Sequence, residues 1–333
     1  MKDRILPGHG SGGRLMNEMI ESVIREILGK DTVQPDDAAV LDIPGGKIAF
    51  TTDTFTVSPL VFTGGTIGSL AVNGTVNDLA VMGARPRFLS CALVLEEGLE
   101  ISLLKEILRS MKEAADYAGV AIVTGDTKVV EKGKGDRIFI NTAGIGVFEG
   151  EPLRAEIELG DAVLINGFIG DHGMSIMALR NGLSFTGGLS SDCAPLNGLI
   201  AEVIARFPRG VKFMRDPTRG GVASVLNEIV QGKAYGVELM EDGIPVRNEV
   251  RGACEMLGID PLYSANEGKV LMVVKNEDAG AVVETMKSIK EGADAAVIGR
   301  ITGEYPGTAF LRTAIGGRRI LPLLTEEQLP RIC

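Results

Sequence analysis

The sequence predicts an α/β N-terminal domain, a second domain that again mixes strands and helices, and a flexible C-terminal tail. Three observations carry that expectation. Segments with strand character alternate with segments of helical periodicity along the whole chain. Near 150–160 the pattern breaks, because Glu151, Pro152, Arg154 and Glu156 interrupt the apolar residues, and this divides the chain into 1–152 and 153–324. After about Leu324 the apolar anchors thin out, so 325–333 read as a mobile tail. The length of 333 residues suits two domains, and 45% hydrophobic residues supply a sizeable core.

In the first domain, residues 15–28 repeat apolar side chains at helical spacing (Leu15, Met19, Val23, Ile27 among them), and Gly29 supplies the stop. Residues 35–41 are a turn entering a strand, and 47–52 are a second strand with Asp53 at its end. A helix rich in small residues is expected over 68–83, carrying Asn73, Asn77 and Asp78. A strand follows over 87–95. The helix over 101–118 puts Leu104, Ile107, Leu108 and Met111 on its core face. A buried strand over 120–123 ends in the turn Thr124-Gly125-Asp126-Thr127-Lys128, and 137–148 form a long strand.

The second domain opens with a strand over 162–166, a turn containing Asp171 and His172, and a helix over 174–180. A helix follows over 195–207. Arg215-Asp216-Pro217-Thr218-Arg219-Gly220-Gly221 is a turn into a helix over 222–230. Segments 237–240, 248–257, 270–274, 279–289, 295–301 and 308–313 continue the alternation. No short-period repeat appears.

Composition narrows the function. With 34 Lys and Arg against 44 Asp and Glu, the net charge of −10 argues against nucleic acid, which is bound by clustered cations. No run of 18 apolar residues occurs, so no membrane-spanning helix is expected. The first residues lack the apolar stretch of a signal peptide. Cys91, Cys193, Cys254 and Cys333 form no CxxC pair, which makes zinc and dithiol sites weak readings. A reducing cytoplasm is the expected compartment. Cys333 stands last, where a side chain has little to pack against and a thiol can travel. The plain alternative is a frayed end.

Two features point to chemistry. Residues 7–14 are a Gly-rich lead containing Gly10, Gly12 and Gly13, which can expose backbone N–H groups to an anion. By itself it reads more often as a flexible arm. Asp37, Asp53, Asp78 and Asp126 each stand beside a small, hydroxyl or amide residue: Ala38, Thr52, Asn77 and Thr127. Carboxylates gathered together repel one another unless a cation joins them, and Mg²⁺ takes oxygen ligands shared with phosphates. Singly, each aspartate is more often a turn or helix-cap residue. As a set of four they favour a nucleotide–Mg²⁺ site.

Asp36-Asp37-Ala38-Ala39-Val40, Thr51-Thr52-Asp53-Thr54, Asn77-Asp78-Leu79-Ala80-Val81-Met82-Gly83-Ala84 and Gly125-Asp126-Thr127 occur in this order. Together they resemble the ATP-binding superfamily of aminoimidazole ribonucleotide synthetase, selenophosphate synthetase and thiamine-monophosphate kinase. Within it, the 215–221 turn, Asn266-Glu267-Gly268-Lys269 and the ending Pro330-Arg331-Ile332-Cys333 resemble the HypE family of hydrogenase-maturation carbamoyl dehydratases. The resemblance covers essentially the whole chain. It implies an α/β N-terminal domain that pairs strands across a homodimer, and an α+β C-terminal domain. It places ATP and Mg²⁺ in the cleft, with the Gly-rich arm closing over the phosphates. Gly10, Gly12, Gly13, Thr52, Asn77, Asp216 and Arg219 are implied at the nucleotide together with the four aspartates, and the aspartates also at the metal.

The resemblance also implies a reaction. A HypF-like carbamoyltransferase loads a carbamoyl group onto Cys333. ATP-dependent dehydration turns it into a thiocyanate. The cyano group passes to iron on a HypC–HypD scaffold as a ligand for [NiFe]-hydrogenase. Glu267 is the implied base, and Lys128 would polarise the carboxamide or relay a proton. From the residues alone, Lys128 reads as a solvated loop charge, Glu267 and His172 as turn residues, and Arg219 as an exposed helix-start arginine. Two rivals remain. Selenophosphate synthetase resembles a chain with Cys or Sec in the Gly-rich arm, and 7–14 hold neither. A passive thiol carrier has no use for the aspartate set.

Overall fold

The computed structural model describes Arg4 and residues 19–29, 47–149, 155–322, 329 and 331–333. The Gly-rich lead, the predicted strand at 35–41 and the interruption at 150–154 lie outside these residues. Part of the first predicted helix is present. Ile20–Ile24 winds as a π-helix and continues into α1 (Arg25–Leu28), where Gly29 ends it.

β1 (Ile48–Phe55) follows, and it runs two residues past Asp53, which therefore sits inside the strand. The short β2 (Val61–Phe62) and β3 (Gly65–Thr66) lead into α2 (Ile67–Val81). Thr66 starts that helix by accepting from the Gly68 and Ser69 N–H groups, while the Ser69 hydroxyl accepts from Thr66 N–H. β4 (Arg85–Glu96) and α3 (Ile101–Ala118) come next. α3 has the predicted bounds, because its apolar face is strictly periodic and Gly119 takes φ 69° at its end. The two helices cross closely: a Cβ on Gly68 would lie 2.2 Å from the Ile107 carbonyl oxygen.

β5 (Ala121–Val130) continues through the predicted turn at 124–128. Alternation explains the extension, since Asp126 and Lys128 face outward while Thr127 between them is buried. β6 (Ile138–Val147) completes a four-stranded sheet in the order β1-β6-β4-β5. β4 and β5 are parallel and the other pairs antiparallel. Among the described residues β1 is an edge strand, with Ile48 and Phe50 exposed.

The second half supplies β7 (Ala162–Ile165), α4 (Asp171–Arg180), α5 (Asn197–Arg206), β8 (Val211–Arg215), α6 (Gly221–Val230), β9 (Gly236–Met240) and α7 (Asn248–Leu257). β10 (Leu271–Val274), α8 (Ala279–Lys287), β11 (Ala296–Thr302), β12 (Ala309–Arg312) and β13 (Arg318–Ile320) follow. The seven strands form one sheet, β13-β12-β9-β11-β7-β10-β8, antiparallel except between β12 and β9. Period-2 alternation divides its core. Val163, Ile165, Leu271 and Val273 face α6, while Leu164, Met272 and Val274 face α5 and α8. β8 was not anticipated; its Lys212 is buried and paired to Asp161 at 3.0 Å, so a charge broke the apolar signal.

The first core does not stop at the first sheet. It takes in Met174 and Ile176 of α4, Val250 and Cys254 of α7, and Leu329 and Ile332 of the tail. The described tail residues thus pack against the first core in this structure. No helix among the described residues is long and apolar enough to cross a membrane.

Candidate functional site: an acidic cleft and a docked tail

A cavity of about 610 Å³ opens between β1, the last turn of α2 and the loop after β8. β1 contributes Thr51, α2 contributes Asp78, the end of β8 contributes Arg215, and the loop contributes Asp216 and Arg219. That loop is shaped by its sequence. Pro217 cannot extend β8, and Gly220 and Gly221 take φ 75° and 60°. A Cβ on Gly221 would sit 2.5 Å from the Leu262 carbonyl oxygen, so only glycine lets α6 start there.

Inside the cleft, the Thr51 hydroxyl donates to Asp78 Oδ2 at 3.0 Å; Asp53, next along the same face of β1, accepts from the Thr54 N–H at 2.8 Å through its Oδ1. Burial raises all the carboxyls here, and Asp53 raises each of the others. Asp78 is pushed up to about 6 by burial and by Asp53, against the Thr51 hydrogen bond and Arg215. Asp216 reaches about 7 through burial, Asp78 and Asp53. Asp53 lies above its ordinary range through burial, opposed by the Thr54 N–H and Arg219. Glu267 is well above its ordinary range through burial and the fields of Asp192, Asp216, Asp53 and Asp78. Its Oε1 is buried with no hydrogen-bond partner among the described residues. Four acids so placed form a cluster that a cation would relieve. Among the described residues, no three His, Cys, Asp or Glu side chains are spaced to hold a metal by themselves.

Of the residues singled out in the sequence, Asp53, Asp78, Asp216, Arg219 and Glu267 come together. Thr52 points to the other face of β1, where it donates to the Thr142 carbonyl oxygen at 3.2 Å. Asn77 is committed elsewhere: its amide donates to Ala194 O at 3.1 Å and its oxygen accepts from Leu196 N–H at 2.8 Å. It ties α2 to the second half. Asp126 and Lys128 pair at 2.8 Å with both side chains more than half exposed. They lie on β5, three strands from β1, on the order of 14 Å away. Lys128 holds the Asp126 carboxyl below its usual range. Within one chain this pair is separate from the cluster. Gly10, Gly12, Gly13 and Asp37 lie outside the described residues.

Sequence reasoning missed the shell behind Glu267. Its N–H donates to Asp192 Oδ1 at 3.1 Å, and Asp192 is paired to Lys269 at 3.0 Å. Gly268 lets these segments touch, since a Cβ there would meet the Asp192 carbonyl oxygen at 1.8 Å. The charged Lys in Asn-Glu-Gly-Lys was the available signal. Asp192 and Lys269 also line a second cavity of about 820 Å³ with Asn73, Asp171, Ser191 and Cys193. Burial pushes the Cys193 thiol up to about 12, and the same holds for Cys91 and Cys254.

The tail docks at the far end of β1. Thr56 donates to the Cys333 main-chain oxygen from its N–H at 3.0 Å and from its hydroxyl at 3.2 Å. Ser58 N–H and the Arg180 guanidinium donate to the Arg331 carbonyl oxygen. His172 Nε2 donates to the Ile332 carbonyl oxygen at 2.7 Å. Arg331 itself donates to the Thr56 carbonyl oxygen at 3.1 Å and pairs with Asp136. Thr56 lies three residues beyond Asp53, on the order of 10 Å along an extended chain.

Residues 35–148 match the AIR synthase related protein N-terminal domain, and residues 158–311 match the corresponding C-terminal domain. The chain is 47% identical to carbamoyl dehydratase HypE of Rhodobacter capsulatus, over 99% of this chain and 98% of that one. A crystal structure of the hydrogenase maturation protein HypE in complex with ATP superposes with a TM-score of 0.92 at 43% identity, covering 98% of this chain and 99% of that one. HypE in a crystal structure of the HypE–HypF complex superposes at 0.79 with 46% identity, covering 94% and 100%. Both family-model domains together cover most of the chain, and the curated relative matches nearly end to end at 47% identity, so the chain belongs to the HypE family of carbamoyl dehydratases.

Proposed function

We propose that this chain is an ATP-dependent carbamoyl dehydratase whose substrate is the S-carbamoyl group on its own Cys333. The observation that carries this reading is the double use of β1. The strand contributes Thr51 and Asp53 to the acidic cleft, and the next turn of chain, at Thr56, holds the Cys333 main-chain oxygen.

The crowded carboxylates fit Mg²⁺ shared with phosphate oxygens, with Asp53, Asp78 and Asp216 on its side of the cleft and Asp37 and Asp126 the further candidates. When bound, Mg·ATP supplies charge neutralisation and the phosphoryl group that makes an amide oxygen able to leave. Arg215 and Arg219 offset phosphate charge, and Thr51 keeps Asp78 oriented. Glu267 accepts a proton from the carbamoyl nitrogen. Lys128, separate from the cluster within one chain, polarises the group or relays the proton where a second copy of the chain brings it to the cleft. Overall, the S-carbamoyl group and ATP give S-cyanate, ADP and phosphate. The carbamoyl oxygen leaves in phosphate and both nitrogen-bound protons are lost.

In this reading residues 1–152 bind nucleotide and pair copies, 153–324 complete the cleft, and 325–333 carry the group. The exposed Ile48 and Phe50 on edge strand β1 suit a homodimer. The carbamoyl donor is a HypF-like partner, in line with the HypE–HypF structure, and the cyano acceptor is iron on a HypC–HypD scaffold, in the cytoplasm.

Mass spectrometry of the C-terminal peptide tests this. Carbamoylated protein given Mg·ATP should lose one water from modified Cys333 as ADP appears, and Cys333→Ala should bind nucleotide yet give no product. An unchanged adduct on protein that binds ATP would leave a passive carrier.

A further inference from the structure

We infer that His172 is a latch for the tail, a positioning residue that holds Ile332, and so Cys333, in the docked place by joining the tail to the 187–191 loop. His172 is fully buried in the first turn of α4. Both ring nitrogens are engaged at 2.7 Å, Nδ1 with the Ser191 hydroxyl and Nε2 with the Ile332 carbonyl oxygen. The proton positions follow from the partners. A carbonyl oxygen only accepts, so Nε2 carries the proton. Nδ1 then accepts from the Ser191 hydroxyl, whose oxygen accepts from Cys193 N–H at 3.1 Å. The result is one directed chain of hydrogen bonds from the wall of the 820 Å³ cavity to the tail.

The docked tail is also under local strain. Arg331 takes φ 53°, an uncommon backbone conformation for a residue with a side chain, and such conformations persist where neighbours hold them. His172 holds the residue after it, and Arg180 holds Arg331 itself. Around the ring stand Asp192 and Ser191 from the loop, Arg180 from α4, Phe62 edge-on at 5.5 Å between centroids, and the tail with Arg331. Burial holds the imidazole below its ordinary range, Arg180 adds to this, and Asp192 and the Ile332 carbonyl oppose it. Undocking opens the ring to water and lets it take a proton more easily. Falling pH through the ordinary histidine range therefore favours release.

The test is the rate at which iodoacetamide alkylates Cys333 in the full-length protein, read by peptide mass spectrometry. Dividing by the rate for the free tail peptide at the same pH removes thiolate effects. His172→Ala should raise this ratio about fivefold to tenfold, the worth of one intramolecular hydrogen bond. His172→Gln, which keeps an N–H donor, should recover part of the protection. The native ratio should rise below about pH 6.5 and that of His172→Ala should stay flat. An unchanged ratio in folded His172→Ala overturns the latch. If that variant does not fold, Ser191→Ala takes its place, with a rise expected and no change fatal.

A second arm rests on the proposed function. His172→Ala should speed carbamoyl loading and slow dehydration, whereas simple structural damage slows both. The alkylation arm reads docking whether or not the chain is a dehydratase, so the two failures are distinguishable.

Discussion

Asp78 and Asp126 are the same residue type in the same domain, and their surroundings drive them in opposite directions. Asp78 is largely buried beside Asp53, and its carboxyl rises to about 6. Asp126 lies outward on β5 beside Lys128, and its carboxyl falls below the usual range. The first gathers like charge out of water and is unrelieved. The second is relieved already. Unrelieved charge marks the cleft as a place built for a ligand, since an isolated fold gains nothing by crowding acids.

The largest expected effect tests the far edge of the cluster. Glu267 has a raised carboxyl and an oxygen without a hydrogen-bond partner among the described residues, and positive charge joining the cleft would favour its ionised form. Glu267→Gln should slow single-turnover dehydration about 100-fold or more, with nucleotide affinity changed far less. An equal fall in both would make it a binding residue.

The next effect sets Asp78 directly against Asp126. Asp78→Asn should weaken Mg·ATP binding by about tenfold or more, while raising the melting temperature of the ligand-free protein by relieving repulsion. Asp126→Asn should leave that melting temperature nearly unchanged, because an exposed pair contributes at most about 1 kcal/mol. Calorimetric titration and thermal melts read both. Equal behaviour of the two variants would end the distinction.

The smallest effect is in pH. Raised carboxyls bind protons more readily folded than unfolded, so their contribution to stability falls as pH rises through 4 to 7. Asp78 at about 6 and Asp216 at about 7 define the upper end of that window. His172 works the other way, its carrying a lowered value. The comparison that isolates the cluster is wild type against Asp216→Asn. Between pH 7.5 and 5.5 wild type should gain melting temperature relative to the variant.

Much of the fold was legible, for definite reasons. The helix Ile101–Ala118 has a strict apolar stripe and a glycine stop, and its bounds follow from them. Val211–Arg215 hid because buried Lys212 needs Asp161, which is distant in sequence. The strand Ala121–Val130 looked as if it ended in a turn because Gly125-Asp126 has turn composition. At the site, the aspartates stood out by the small, hydroxyl and amide residues beside them and then by the family motifs, but spacing could not show which of them meet, since the cluster closes over separations such as Asp53 to Glu267. Asn77 belongs to the same motif as Asp78, yet it braces the chain. The tail's partners Thr56, His172 and Arg180 carry no motif of their own; only the folded chain brings them to one place.

The hydrogen bonds that seat the tail take the main-chain oxygens of Arg331, Ile332 and Cys333. A peptide backbone is the handle, and the sulfur takes no part in the grip. On the proposed function, a handle of that kind would hold loaded and spent tails alike. It would give a common berth to every stage of the proposed cycle and leave the choice of when to depart to something other than the cargo.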